Sequence, residues 1–193
     1  ASRVEEAQAR VAAVLLLTLR GTPTLYQGDE MGIGQVDIPP DRIRDPQHHR
    51  QPELDIGRDR SRTPMAWDAG EHADFGAGEP WLPLHPDWQT RNVAAQERDP
   101  GSMLHLYRAL LTLRRERAAL SVGSWHAVAS AGDLLAFERR LGDERLLVAL
   151  NLGQGAIDVP VSESARVLLS TLGEGARPDL LRPDEGLILE LTP

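Results

Sequence analysis

The sequence predicts two parts of different class, an α/β part over residues 1–120 and an all-β part over residues 121–193. Three observations carry this. An apolar helix pattern near the N-terminus runs into a glycine and a short apolar strand. A long aperiodic stretch then leads to a second, amphipathic helix pattern. From Ser121 onward the helical period gives way to six short β-type runs with no helix between them.

Val4, Ala7, Val11, Val14 and Leu15 recur at helical spacing, and Val11 to Leu17 is apolar all round, which predicts a buried helix over 4–20. Gly21 is the candidate C-cap, and Thr22-Pro23-Thr24-Leu25-Tyr26 reads as a short strand entered through a proline near its start. Helix, turn and strand make half of an α/β repeat. Residues 27–98 show no sustained period, yet they hold eight of the fourteen prolines and three of the four tryptophans. So long a connection within a folded domain is usually functional. In an α/β barrel, the loops that leave the carboxyl ends of strands build the active-site face.

Order returns at Asp99-Pro100, a cap residue followed by proline at the first helical position. Met103, Leu106, Tyr107, Leu110 and Leu113 form one stripe of the helix that follows, which predicts that it covers a sheet. The β runs are Val122–Val128, Leu134–Arg140, Arg145–Leu150, Ile157–Val161, Arg166–Leu169 and Leu187–Leu191, separated by Gly, Asp or Pro turns. Six such runs predict an antiparallel β-sandwich, with the domain boundary near Leu120.

At 193 residues, 41% of them hydrophobic, the chain can bury roughly two thirds of its unfolded surface, which excludes disorder throughout. It contains no cysteine, so disulfides, thiol nucleophiles and Cys-ligated zinc are excluded. That fits a reducing compartment, and a cytoplasmic location is expected. A formal net charge of −8 argues against duplex nucleic acid and anionic membrane surfaces, both of which need clustered positive charge. All 21 basic residues are arginine, which excludes lysine-based catalysis and makes every cationic contact a planar fork. The chain begins at Ala1 with neither methionine nor a signal-peptide pattern, and it is expected to be a piece of a longer protein.

Several apparent sites have simpler explanations. His48-His49 with Asp45 and Asp55 lack the i,i+4 spacing of a helical metal site and read as solvated loop residues. Ser102 and His105 lack a nucleophile elbow and read as a helix cap and helix surface. The Gly32–Gly34 and Gly76–Gly78 pairs lack the third glycine of a dinucleotide fingerprint and read as turns. The strongest segment is Gly57 to Asp68, where three arginines alternate with small or acidic residues before Pro64 and Trp67. Such a run either organises a polar site beside an aromatic wall or forms an ion-paired loop anchored by a buried Trp67.

Gly21-Thr-Pro-Thr-Leu-Tyr-Gln-Gly-Asp-Glu-Met-Gly32 resembles the last barrel strand of the α-amylase superfamily of glycoside hydrolases. Arg58 to Asp68 resembles the RDxxRTPMQWD signature of its α-glucosidase and oligo-1,6-glucosidase branch. Asp37 to Pro46, Gly78-Glu-Pro-Trp81, Asn92-Val93 and the Asp99–Leu120 helix follow in the order of that branch, so the resemblance covers nearly the whole chain. It implies the terminal part of a (β/α)8 TIM barrel, with residues 27–98 as an active-site-face loop, followed by a C-terminal antiparallel β-sandwich.

The resemblance also implies retaining hydrolysis of short α-glucosides by two carboxyl groups, with a third acid stabilising the charged sugar. It places all three upstream of this chain, whose Ser2-Arg3 resembles the stretch just after the third. Catalytic residues, metal ligands and cofactors are therefore not expected here, and any calcium dependence would be decided upstream. Substrate contacts are expected from Arg58, which would reach a hydroxyl of the sugar at the −1 subsite while paired with an aspartate of an early barrel loop, and in second place from Arg62. Asp29-Glu30 is expected to order the loop, Tyr26 to pack, and Trp81 and Trp88 to anchor loops.

Ala66 stands where the family usually has glutamine, and His72-Ala73-Asp74-Phe75 where Asn-Ala-Gly-Phe is more usual. Two other readings keep part of the resemblance: a transglucosylase or isomerase like trehalose synthase, and a non-catalytic binding or structural module. An oligosaccharide is the expected partner of the full-length enzyme. The fragment itself is expected to self-associate through Leu25-Tyr26 and the apolar helix, whose barrel neighbours it lacks.

Overall fold

In the computed structural model, which describes residues 3–54, 57–161 and 164–192, the β part is organised around central strands that are short apolar runs buried on both faces. The strands are β1 (Ser124–Ala131), β2 (Leu134–Leu141), β3 (Glu144–Asn151), β4 (Ile157–Asp158), β5 (Ser164–Ser170), β6 (Leu180–Leu181) and β7 (Gly186–Thr192). Five form an antiparallel sheet in the order β1-β2-β3-β7-β5, and β4 pairs with β6 in a two-stranded ribbon. Gly132 and Gly142 take up positive φ in the tight turns that join β1 to β2 and β2 to β3, as such hairpins require.

One face of the sheet, with Ala136, Leu147, Ala149, Leu187, Leu189 and Leu191, packs against Val159 and Leu181 of the ribbon region. This is the two-layer form that the predicted sandwich takes. The six predicted runs are strands, with ends shifted by up to three residues. The seventh, Leu180–Leu181, was missed because two residues carry no alternation.

The opposite face of the sheet is covered by helices α1 (Arg3–Thr18) and α5 (Ala118–Val122). Val11, Ala13, Val14 and Leu17 of α1 are buried as the period requires, and the bare Cα of Gly186 in β7 leaves room beside Val14. Ala119 and Leu120 of α5 pack on Leu146, with Leu113 of α4 (Met103–Glu116) at the margin. The amphipathic helix α4 therefore contributes only its end to covering the sheet. Of its predicted stripe, Met103, Leu106, Tyr107 and Leu110 are buried and Leu113 is partly so, with Leu104 buried beside them.

Two arginines close the C-terminal end of α1, where carbonyls lack intrahelical donors. Arg114 donates to the carbonyls of Leu17 at 2.8 Å and Gly21 at 2.6 Å. Arg139, on β2 and wholly buried, donates to the carbonyls of Thr18 and Gly123. It faces no carboxylate among the described residues, and burial pushes its pKa down.

Glu185 is an acid wholly buried in this part. Its carboxylate accepts from Arg182 Nε at 3.0 Å, Arg182 NH2 at 2.8 Å, the Arg182 N–H at 2.8 Å and Ser170 Oγ at 2.6 Å. Burial alone would raise its pKa, and these four donors outweigh burial and hold it below the usual carboxylate range. A depressed folded pKa contributes stability above the unfolded value, and that stability is lost as pH falls through the folded one. Glu185→Gln is accordingly expected to cost about 2 kcal/mol at neutral pH and to flatten the acid limb of stability below pH about 4.5. Urea midpoints of both proteins across pH 3–7 test this, and parallel curves would refute it.

Chain contacts divide the molecule into two compact units, residues 25–105 and residues 1–24 with 106–193. Thr22 to Tyr26 belongs to no ladder, contrary to the predicted strand, because no described segment pairs with it. The expected cap at Asp99 is also corrected. Asp99 ends helix α3 (Val93–Arg98) and accepts from the Gly101 N–H, while Ser102 Oγ accepts from the His105 N–H at the start of α4.

Candidate functional site

Residues 25–105 hold few regular elements, and polar side chains fix the backbone in their place. Asp29 Oδ2 accepts from the Tyr26 N–H and Glu30 Oε2 from the Gly28 N–H, both at 2.9 Å, so the acidic pair shapes the turn that carries it. Met31 below that turn packs with Met65 and Leu104. Gln96 of α3 donates to the Met31 carbonyl at 2.8 Å and accepts from the Leu104 N–H at 3.0 Å. Helix α3 lies inside the stretch read as loop. Its signal is Asn92, whose side chain accepts from the Ala95 N–H at 2.8 Å as an N-cap.

The arginine-rich segment is clipped to an earlier loop by two carboxylates. Asp45 accepts from Arg58 Nε at 2.8 Å, Arg58 NH2 at 2.9 Å and the Arg58 N–H at 2.7 Å, and it also caps the short helix α2 (Pro46–Arg50) through the Gln47 N–H. Asp59 Oδ2 accepts from the N–H groups of Arg44 at 2.6 Å and Asp45 at 2.8 Å. The Asp45 side chain is 0% exposed and that of Arg58 52% exposed. The Arg58 fork, with its N–H, holds the Asp45 carboxyl well below the usual carboxylate range, and Asp45 in turn raises Arg58.

Within this chain, then, the carboxylate partner of Arg58 is Asp45, which the sequence offered only as a metal-ligand candidate. The signal available was Asp45-Pro46, a cap followed by proline at the first helical position. Nε and NH2 are committed to Asp45, while NH1 has no acceptor among the described residues. Arg62 is exposed, and its side chain has no hydrogen-bond partner among them. The two arginines are not brought onto one acceptor.

A cavity of about 290 Å³ is lined by Tyr26, Gln27, Asp29, Gln35, Arg60 and Ser61, among others, and neither Arg58 nor Arg62 is part of its lining. Gln27 Nε2 is fixed by the Thr63 carbonyl at 3.0 Å. Tyr26, expected to pack, is 63% exposed. The lining mixes amide, hydroxyl and phenol groups with one acid and one guanidinium, a set suited to a hydroxylated ligand without net charge.

Trp67 does not anchor this loop, since its ring is half exposed. The buried residues there are Thr63 to Ala66, with the methyl of Ala66 occupying the place of the usual glutamine. Trp81 is exposed as well, and its backbone is what is held, by Arg42 Nε on its carbonyl. His72, Ala73 and Asp74 all have φ between 53° and 57°. That conformation suits asparagine and glycine, which explains physically why the family pattern carries them at the first and third of these positions.

His48 and His49 both lie in α2 with rings edge to face, and His49 Nε2 bonds the Ile43 carbonyl. Asp55 lies outside the described residues. Among those described, no group of three His, Cys, Asp or Glu could hold a metal ion. Ser102 and His105 engage the carbonyls of Gln96 and Glu97, as cap and surface residues do. No helix is long and apolar enough to cross a membrane.

Residues 1–123 match the family model described as α-amylase, catalytic domain, and residues 123–188 match a domain of unknown function, DUF3459. The chain is 37% identical over 151 residues to a probable α-glucosidase of Rhizobium meliloti (strain 1021), covering 78% of this chain and 27% of that protein. It is 30% identical over 206 residues to a glucan 1,6-α-glucosidase of Streptococcus pneumoniae, covering 96% of this chain and 38% of that protein. Among solved structures it resembles the trehalulose synthase of Pseudomonas mesoacidophila MX-45, with TM-score 0.87, 27% identity, and coverage of 97% of this chain and 39% of that one. An isomaltulose synthase of Erwinia rhapontici NX5 in complex with D-glucose gives TM-score 0.86 at 28% identity, covering 100% of this chain and 39% of that one. The chain thus spans roughly a quarter to two fifths of the length of these relatives.

Proposed function

The chain belongs to the α-amylase family, and from that premise we propose that it is the C-terminal portion of a retaining enzyme that cleaves α-glucosidic bonds in short α-glucosides. The observation that carries the reading is Arg58. It is a half-exposed guanidinium held on a buried carboxylate through Nε and NH2, two residues before Arg60, which lines a cavity of mixed polar character. A planar fork so held offers directed, charged donors to a sugar hydroxyl without the cost of ordering a mobile side chain. Arg62 is proposed as a second, weaker donor.

On this reading, residues 27–98 form one wall of the active-site mouth and residues 121–193 the C-terminal domain. The reacting carboxylates come from the part of the relatives' length that this chain does not span, and the chain alone turns nothing over. A cytoplasmic location, an oligosaccharide substrate and self-association of the isolated fragment belong to the same proposal.

A second reading, transfer of the glucosyl group to a second sugar, is favoured by the resemblance to trehalulose and isomaltulose synthases. Incubating the full-length protein with maltose, isomaltose and sucrose, and resolving the products, separates the two. Release of free monosaccharides is the expected result. Rearranged disaccharides would replace hydrolysis by transfer, and no turnover of any of the three would overturn both.

A further inference from the structure

The carboxylate that holds the Arg58 side chain carries a more specific role than that of counterion. Asp45 lies 13 residues before Arg58, on a different loop, and its carboxylate is closed to solvent. All its contacts are donors: the Arg58 fork, the Arg58 N–H and the Gln47 N–H. The backbone around Asp45 is held in its turn, since the N–H of Arg44 and of Asp45 both point to Asp59 Oδ2. Asp59 is the sequence neighbour of Arg58, so the two loops are tied reciprocally, Asp45 to Arg58 and Asp59 to Arg44-Asp45.

We propose that Asp45 is a positioning residue for substrate recognition: its carboxylate fixes the rotamer of Arg58 so that NH1, and only NH1, faces the sugar. This rests on the reading of Arg58 as a substrate contact. The geometry says why a carboxylate is needed at 45. An arginine side chain has four rotatable bonds, and an exposed one samples many rotamers. Two parallel N–H···O bonds to a wholly buried acceptor remove that freedom before substrate arrives. A neutral acceptor of the same shape could take one such bond, but its amide nitrogen would face the other guanidinium N–H, donor against donor. The depressed pKa of Asp45 keeps the lock closed across the working range of such an enzyme, so the lock adds no acid limb of its own.

The test is a double-mutant cycle in the full-length protein, with Asp45→Asn, Arg58→Ala and the pair, read as kcat/KM on an α-glucoside that the wild type turns over. Asp45→Asn is expected to lower kcat/KM about tenfold with its melting temperature within a few degrees of wild type, and to have no further effect on the Arg58→Ala background. If the two losses multiply, or if folded Asp45→Asn keeps wild-type kinetics, the positioning role is overturned. If Arg58→Ala itself leaves kinetics unchanged, what fails is the reading of Arg58 beneath it. Should Asp45→Asn not fold, Asp45→Glu takes its place in the cycle. It keeps the charge but displaces the carboxylate by one methylene, and it too must lose activity only where Arg58 is present. Equal losses in both backgrounds, or none in either, would overturn the inference.

Discussion

Arg58→Ala in the full-length protein is expected to lower kcat/KM by about 10- to 100-fold, the range for losing a charged hydrogen bond to substrate. The expectation rests on how the side chain is held. A guanidinium that already has its counterion loses little entropy when a sugar hydroxyl arrives, so most of the interaction is available to the bound state. Removing it also strands Asp45, whose buried carboxylate keeps only two backbone N–H donors. Some loss of stability should therefore accompany the loss of activity, and thermal melting has to be read alongside the kinetics. Wild-type kcat/KM with maltose, isomaltose and sucrose would remove Arg58 from the substrate site.

Gly123→Ala is expected to destabilise the protein by about 3 kcal/mol, which lowers the melting temperature by roughly 10 °C for a chain of this size. Gly123 joins α5 to β1, with an ordinary φ of −65°. The difficulty is space. A methyl group there would lie 2.4 Å from the Ala119 carbonyl oxygen, 2.6 Å from that of Arg140 and 2.9 Å from the Ala119 Cα. All three are backbone atoms, so relief requires α5 to move away from β2. The same shift would draw the Gly123 carbonyl away from Arg139 NH2, leaving a buried charge short of an acceptor. A melting temperature within about 2 °C of wild type would show that the junction yields at little cost.

What could be read in the sequence was whatever repeats. The apolar period of α1 and the apolar runs of β2, β3 and β7 reach the structure with small shifts at the ends, because a strand buried between two layers reads as a short continuous apolar run. Single-residue signals were harder. Asn92 caps a helix that begins where the sequence shows no periodic start, and Asp99, the more obvious cap, ends that helix, whereas Ser102 is the cap it was read to be. Thr22 to Tyr26 has strand character but lacks neighbours, and a strand is a property of the pair. At the site, Arg58 was legible through the segment around it. Asp45 and Asp59 were not, because their function depends on two aperiodic loops meeting, and no local pattern encodes that.

The buried guanidinium of Arg139 sets a condition on the order of assembly. Its acceptors are the carbonyl of Thr18, 121 residues earlier in the chain, and that of Gly123, 16 residues earlier. The hairpins of the sheet close over short separations and can form early. Until α1 docks, however, β2 carries a charge that cannot be buried, and the helix face of the sheet stays hydrated around it. The last and slowest closure should therefore be the return of the N-terminal helix across the whole intervening chain, with Arg139 deciding when the sheet becomes dry.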